Sequence, residues 1–220
     1  MERLICLLIG YVFGMFQTAF IYGKINHIDI REHGSGNAGT TNALRTLGWK
    51  AGVITFVGDV LKVVLASVVV RLIFGQSHKD SITLLLLYSG IGTVLGHNFP
   101  AYLKFKGGKG IAATAGVIIS LGCGWLDLTG FVMFMLTLVI TKYVSSASLV
   151  MLLSCFAGFV CFIHFDIIGG LGTTAVLYEA VAVMFAFVVL GFTRHHANIK
   201  RLLNGTENEF KLKKHMGEME

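Results

Sequence analysis

Residues 111–141 read IAATAGVIISLGCGWLDLTGFVMFMLTLVIT, and how they divide decides the fold. Asp127 is the one charged residue in this stretch. It is either one long tilted helix or two shorter ones broken near Gly122-Cys123-Gly124-Trp125. Further apolar runs lie at about residues 4–22, 52–74, 82–98, 146–164 and 172–192, and a membrane span takes about 20 apolar residues. Charge chooses between the two readings. With a break there are seven spans, and three basic regions fall on one face. They are the first loop (Lys24, Arg31, Arg45, Lys50), the central loop (Lys104, Lys106, Lys109) and the tail (Arg194, Lys200, Arg201, Lys211, Lys213, Lys214), joined by Lys142. The other face keeps Arg3, Arg71 and Lys79. Without the break the tail would lie opposite the two loops. The positive-inside rule therefore predicts seven spans, N-terminus outside and C-terminus in the cytoplasm. The expected fold is all-α: an integral membrane protein of seven transmembrane helices, some short, with the motif loops on the cytoplasmic face. Residues 1–220 read as a single polytopic domain with a basic cytoplasmic tail from about 194.

Composition supports this. Charged residues make up 14% of the chain, against about 25% in soluble domains, and mean hydropathy is +0.74. No length remains for a separate soluble domain. The run from Met1 to Phe20 lacks a small-residue cleavage site and reads as a retained span. Cys6, Cys123, Cys155 and Cys161 lie in apolar runs without a CxxC pair, so they read as packing thiols. The histidines show no metal-ligand spacing, which predicts no metal site. Gly10-xxx-Gly14 and Gly92-xxx-Gly96 suit close helix packing. Asp59 and Lys62, three apart in an apolar run, share a helix face. They read either as a structural ion pair near the cytoplasmic end or as shapers of a site, because intramembrane charges pair or face a polar cavity.

Three polar segments carry the chemistry. The central one, GHNFPAYLKFKGGKGIAA (96–113), holds the chain's sole proline, three lysines and a glycine turn. It reads as a phosphate cradle: glycines allow close approach, exposed N–H groups form an anion nest, and a helix N-terminus follows. The alternative is a basic loop that merely fixes topology. It is not a nucleotide P-loop, since Lys104 stands where that motif needs Gly and Gly110 where it needs Ser or Thr. The first segment, REHGSGNAGTTNALRTLG (31–48), supplies hydrogen-bonding side chains and an Arg fork suited to phosphate. A helix-capping turn would explain one of these residues, not the cluster. The tail segment RHHANIKRLLNGTENEF (194–210) places His195, Asn198 and Arg201 every three residues on one helical face. Alone, it reads equally as a basic helix lying on anionic lipid. Ser145 and Ser146, near Lys142, read as a helix cap, the alternative being contact with an anionic substrate.

Taken together, SGNAGTTNALRTLG, GHNFPAYLKFKGGKGIAA and HHANIKRLLNGTE resemble, in order and spacing, the three signature motifs of the bacterial acyl-phosphate:glycerol-3-phosphate acyltransferases, the PlsY family. The resemblance covers residues 1–207. It implies transfer of a fatty acyl group from acyl phosphate to the sn-1 hydroxyl of glycerol 3-phosphate, giving lysophosphatidic acid and phosphate. This would be the first acylation of bacterial phospholipid synthesis, in the cytoplasmic (inner) membrane, with the active site on the cytoplasmic face. It implies no cofactor or metal and no use of acyl-CoA or acyl carrier protein. It implies no nucleic acid and no obligate protein partner; the partners would be the two substrates and membrane lipid. By motif position, Ser35, Arg45, Lys104, His195 and Asn198 would hold glycerol 3-phosphate and carry catalysis. Asn37, Thr41, Asn42, Gly96, His97, Gly107, Gly108, Lys109, Gly110, Arg201 and Glu207 would complete the substrate site. His195 rather than His196 has the motif spacing to Asn198. The chain departs from the family pattern at Gln17, where Pro is usual nearby, at Thr40, where Ala is usual, and at Glu209, where Lys is common.

The residues agree with that chemistry. Two phosphates side by side at a bilayer face call for cations from several loops. No His has Asp five residues on, and His27 and His215, which have Glu there, lie outside the motifs. The HxxxxD base of other acyltransferases is thus absent, which suits a good leaving group that takes the hydroxyl proton itself. A transporter or flippase for phosphate esters is the alternative. It predicts internal repeats and mid-bilayer polar groups, whereas the polar groups here concentrate at one face. A purely structural membrane subunit would not need three anion-binding motifs.

Overall fold

The computed structural model describes residues 1–210, and the tail residues Lys211, Lys213, Lys214, His215 and Glu220 lie outside the described residues. The described chain is all-helical: α1 (Glu2–Gly14), α2 (Thr18–Ile25), α3 (Thr40–Leu47), α4 (Trp49–Phe74), α5 (Ile82–Asn98), α6 (Ile111–Leu121), α7 (Gly124–Thr141), α8 (Val144–His164), α9 (Thr174–Arg194) and α10 (His196–Leu203). Among the described residues six stretches are long and apolar enough to cross a membrane, and the chain is a multi-pass membrane protein. The stretch 111–141 does break: Gly122, at φ +73°, ends α6, and α7 starts at Gly124. A β-branched or bulky residue would be strained in that left-handed conformation.

Helix α5 is the axis of the bundle, with 78% of its span buried, while α7 on the outside has 11% buried. The glycine pairs explain how α1 approaches α5. A Cβ on Gly10 or Gly14 would strike the Ser89 or Thr93 backbone, and one on Gly92 or Gly96 would strike that of Leu7 or Tyr11. Leu84, Leu87, Ile91 and Val94 of α5 pack with Val117, Phe159 and Phe187 of α6, α8 and α9. Leu61, Leu65, Leu72, Val139 and Ile140 point outward and are exposed, as a lipid-facing surface requires.

Two irregularities place the site. Helices α1 and α2 are interrupted at Met15–Gln17, without a proline. The interruption frees carbonyls that must find donors inside the bundle. Lys62 Nζ takes the Phe16 carbonyl at 2.8 Å, and Gln17 Nε2 donates to the His97 carbonyl at 2.9 Å. The second irregularity is α6, which at 11 residues is about 16 Å long, roughly half a hydrocarbon core. It packs along the distal half of α4: Gly116 lies against Val60 and Val63, and Arg71 donates to the Ser120 carbonyl at 3.0 Å. In the segment before it, Pro100, Leu103, Gly108 and Gly110 are buried while Ala101, Tyr102 and Lys104 to Lys106 stay exposed.

Candidate active site

The three polar segments meet in one cavity of about 460 Å³. Its polar end is lined by Ser35, Asn37, Thr41, Asn42, Arg45, His97, Lys109, Gly110, His195, Asn198, Arg201 and Glu207. An outer cavity of about 710 Å³ shares Ser35, Asn37, Lys109, Asn198 and Arg201 with it and adds Lys104, Lys106, Gly107 and Arg194. Among the residues predicted from the motifs, Gly96 and Gly108 line neither cavity. Gly96 serves the α1–α5 contact, and Gly108 leaves room for the His97 ring, whose Nε2 occupies the place of a Cβ.

The first segment is held from within by Asn42. Its Oδ1 accepts from the Ser35 N–H at 2.8 Å, and its Nδ2 donates to the carbonyls of Ile30 and His33, both at 3.0 Å. Asn42 therefore shapes the loop rather than offering its amide to a ligand. Arg45, one turn along α3, makes no hydrogen bond or ion pair among the described residues and leaves its fork free. At the outer mouth, Arg31 is already engaged: its hydrogen bonds to Asp29, at 3.0 and 2.7 Å, hold that carboxyl well below the usual range.

The central segment corrects one expectation. The anion nest was predicted over Gly107–Gly110, but the N–H groups of Gly107 and Gly108 are spent on the Asn98 and His97 carbonyls, each at 3.1 Å. These bonds close the C-terminus of α5, whose last carbonyls need donors. The free N–H groups begin at Lys109 and run through Gly110, Ile111 and Ala112 into the first turn of α6. Gly110 takes φ +82° to make that entry, and these four residues line the cavity. The positive end of a helix is thus aimed at the site. The left-handed residues upstream are Lys104 and Phe105, not glycines.

The tail segment forms α10, with His195 at the position that precedes it and Asn198 and Arg201 on it. His195 lines the cavity, whereas His196 is exposed and lines neither one. His195 Nδ1 lies 2.8 Å from the Gly191 carbonyl, so it carries the proton and Nε2 is left as an acceptor. Burial and the nearby Lys109 push the imidazole down to about 4, so it is neutral at physiological pH. Glu207 is the hub of this segment. It accepts from Asn198 Nδ2 at 2.8 Å, Arg201 Nε at 2.7 Å and Ser145 Oγ at 3.2 Å. Lys109 Nζ donates to Asn198 Oδ1 at 2.5 Å, which ties the central segment to the tail. Burial pushes the Lys109 ammonium down to about 8, with Glu207 opposing the shift.

The predicted cap at Ser145–Ser146 is also corrected. Tyr143 precedes α8 and no side chain caps it, because the chain enters the helix from Lys142 in the left-handed conformation. Ser145 is already inside the helix and reaches Glu207. Sequence reasoning missed Arg194, which donates to the carbonyls of Gly107 at 3.3 Å and Gly108 at 2.8 Å and lies over the Phe99 ring. It looks like one more basic tail residue, and nothing local marks it as the brace of the glycine turn.

From its polar end the cavity runs into an apolar groove between α4, α6, α7 and α8, lined by Phe56, Ile118, Ile119, Phe131, Phe134 and Met135. One cavity can therefore hold anions and a long apolar chain together.

A family model for glycerol-3-phosphate acyltransferase matches residues 4–205. A glycerol-3-phosphate acyltransferase of Bacillus subtilis (strain 168) is 40% identical over 206 residues, 93% of this chain and 96% of the relative. One of Clostridioides difficile (strain 630) is 40% identical over 215 residues, 96% of this chain and 97% of the relative. Crystal structures of PlsY, an integral membrane glycerol 3-phosphate acyltransferase, superpose with a TM-score of 0.78. The glycerol 3-phosphate form is 32% identical and covers 96% of each chain. The lysophosphatidic acid form is 30% identical, covering 96% of this chain and 97% of that one. The three motifs, the fold they converge in and these matches along nearly the whole length agree, and the chain belongs to the glycerol-3-phosphate acyltransferase (PlsY) family.

Proposed function

We propose that this protein acylates glycerol 3-phosphate to lysophosphatidic acid with acyl phosphate as donor. The observation that carries this is the cavity itself: polar and cationic side chains from three segments at one end, including Arg45, which has no partner among the described residues, and an apolar groove at the other. Glycerol 3-phosphate sits where the two cavities join, its phosphate between Arg45, Lys104 and Ser35, its hydroxyls facing His195 and Asn198. The donor phosphate lies at the N-terminus of α6 beside Lys109, and its acyl chain follows the groove. The neutral His195 accepts a hydrogen bond at Nε2 from the neighbouring sn-2 hydroxyl and so orients the glycerol, leaving the sn-1 proton to face the donor phosphate. The hydroxyl oxygen attacks the acyl carbon, the bond from that carbon to the phosphate oxygen breaks, and the departing phosphate takes the hydroxyl proton. Charge growing on the carbonyl oxygen and the leaving phosphate is met by fixed donors, the main source of rate in such sites.

The same reading takes all seven apolar helices as crossings, α6 being the short one. The N-terminus is then outside, and the site opens to the cytoplasm of the bacterial inner membrane, where the unengaged cations gather. The deciding experiment supplies purified protein in lipid with palmitoyl phosphate, with and without glycerol 3-phosphate. Lysophosphatidic acid and phosphate released in equal amounts, both substrates being required, is the expected result. Binding of glycerol 3-phosphate without turnover, together with its movement across a vesicle membrane, would assign a transporter instead.

A further inference from the structure

Beneath the glycine turn lies a buried polar cluster to which the mechanism above gives no role. Lys62 Nζ is within 2.8 Å of Asp59 Oδ1, 2.8 Å of the Phe16 carbonyl and 2.7 Å of His97 Nδ1. Thr18 Oγ1 donates to the same Asp59 oxygen at 3.3 Å. Asp59, Lys62 and His97 are 1%, 3% and 3% exposed. Charges so deep in an apolar bundle are costly unless every donor and acceptor is matched.

The matching is informative. A lysine ammonium has three donors, and here it faces three acceptors. Two of them, a carboxylate and a peptide carbonyl, can only accept. As an ammonium paired with Asp59, the lysine gives two protons to these and its third to His97 Nδ1. That nitrogen is then the acceptor, and the ring's own proton must sit on Nε2. Nε2 makes no hydrogen bond among the described residues. It projects through the gap left by the missing side chain of Gly108, where a Cβ would collide with it, and His97 lines the cavity. We infer that Asp59 and Lys62 are positioning residues that fix His97 in its Nε2–H form, making it a neutral hydrogen-bond donor to the phosphate held beside the glycine turn. A neutral donor adds a hydrogen bond to the leaving phosphate without a further buried charge next to Lys109. The same cluster joins the broken first span to α4 and α5, so the floor of the site is rigid before substrate arrives.

This inference rests on the phosphate site proposed above, and its test separates the two. The full chain, labelled with ¹⁵N in its histidine rings, is studied in lipid nanodiscs, and His97 is assigned by its absence in His97→Asn. The expected wild-type signal is a single Nε2–H form whose proton resonance shifts when inorganic phosphate is added. In the Asp59→Asn/Lys62→Met double variant, which leaves no unpaired charge, the signal should split between the two ring forms. His97→Asn keeps an acceptor for Lys62 but loses the donor at Nε2. It should keep its melting temperature and lose about tenfold to a hundredfold in kcat/KM for acyl phosphate. His97→Gln, whose amide reaches the Nε2 position, should recover part of that loss. A proton on Nδ1, no response to phosphate, or a His97→Asn enzyme with wild-type kinetics would overturn the inference. An inactive wild-type protein would overturn the acyltransferase reading, while the ring form and its phosphate response would still decide this one.

Discussion

Basic side chains occupy both ends of the bundle, and the motif end leaves two that line a cavity, Arg45 and Lys104, without a partner among the described residues. Away from the motifs, Arg3 of α1 is bound to Glu179 of α9 through two hydrogen bonds of 2.5 and 2.6 Å, and Tyr88 joins the same carboxylate at 2.8 Å. Arg71 is spent on the Ser120 carbonyl. At the motif end Arg45 and Lys104 have no hydrogen-bond partner among the described residues, and Lys109 uses one donor of three on Asn198. A satisfied arginine holds helices together; an unsatisfied one beside a cavity is available to an anion. Charge count shows which end is the more basic, and the hydrogen-bond accounting adds which of its cations are left for an anion.

Substitutions can test that contrast, and the largest effect should come from Arg45. Arg45→Ala should cost about 2–4 kcal/mol in kcat/KM, as loss of a charge-assisted donor does, with the melting temperature unchanged. Near-normal turnover would place the glycerol 3-phosphate site elsewhere. Glu207→Gln should come next. It unties Arg201 and weakens the hold on Asn198 and Ser145, so the KM for glycerol 3-phosphate should rise by the equivalent of about 1.5–3 kcal/mol. A purely structural Glu207 would lower the melting temperature and leave KM alone.

The third test uses pH. With Lys109 pushed down to about 8, the ammonium is present at neutral pH and is lost as pH rises through that value. Bound phosphate opposes the loss, so the decline should appear in kcat/KM, which reports the free enzyme, before it appears in kcat. Between pH 7 and 8.5 the fall should be about fourfold, and it should vanish in Lys109→Arg. A flat profile in the wild type would remove Lys109 from the site. The smallest effect belongs to the other end: Arg3→Met should change stability by about 1 kcal/mol or less and leave kinetics untouched. A kinetic defect there would mean that the two ends are coupled, and the contrast between them would fail.

Much of this was legible in the chain itself. Apolar run length, the Gly122–Gly124 break and the placement of lysine and arginine depend on local hydropathy and conformational preference, so the helices and their order follow from the sequence. Motif spacing led to Ser35, Arg45, Lys109, His195, Asn198, Arg201 and Glu207, and all of them line one cavity. What the sequence could not say is which polar groups are already used. The Gly107 and Gly108 amides, the Asn42 amide, Ser145, Gln17 and Arg194 all look available until their partners are known. Those partners lie in other helices, brought close by packing against α5. Hydrophobic pattern and turn chemistry are written residue by residue and determined the spans and the motifs. Whether a donor is engaged depends on groups distant along the chain, and the tertiary structure alone decided that the free amides begin at Lys109 and that Lys62 stands beneath His97.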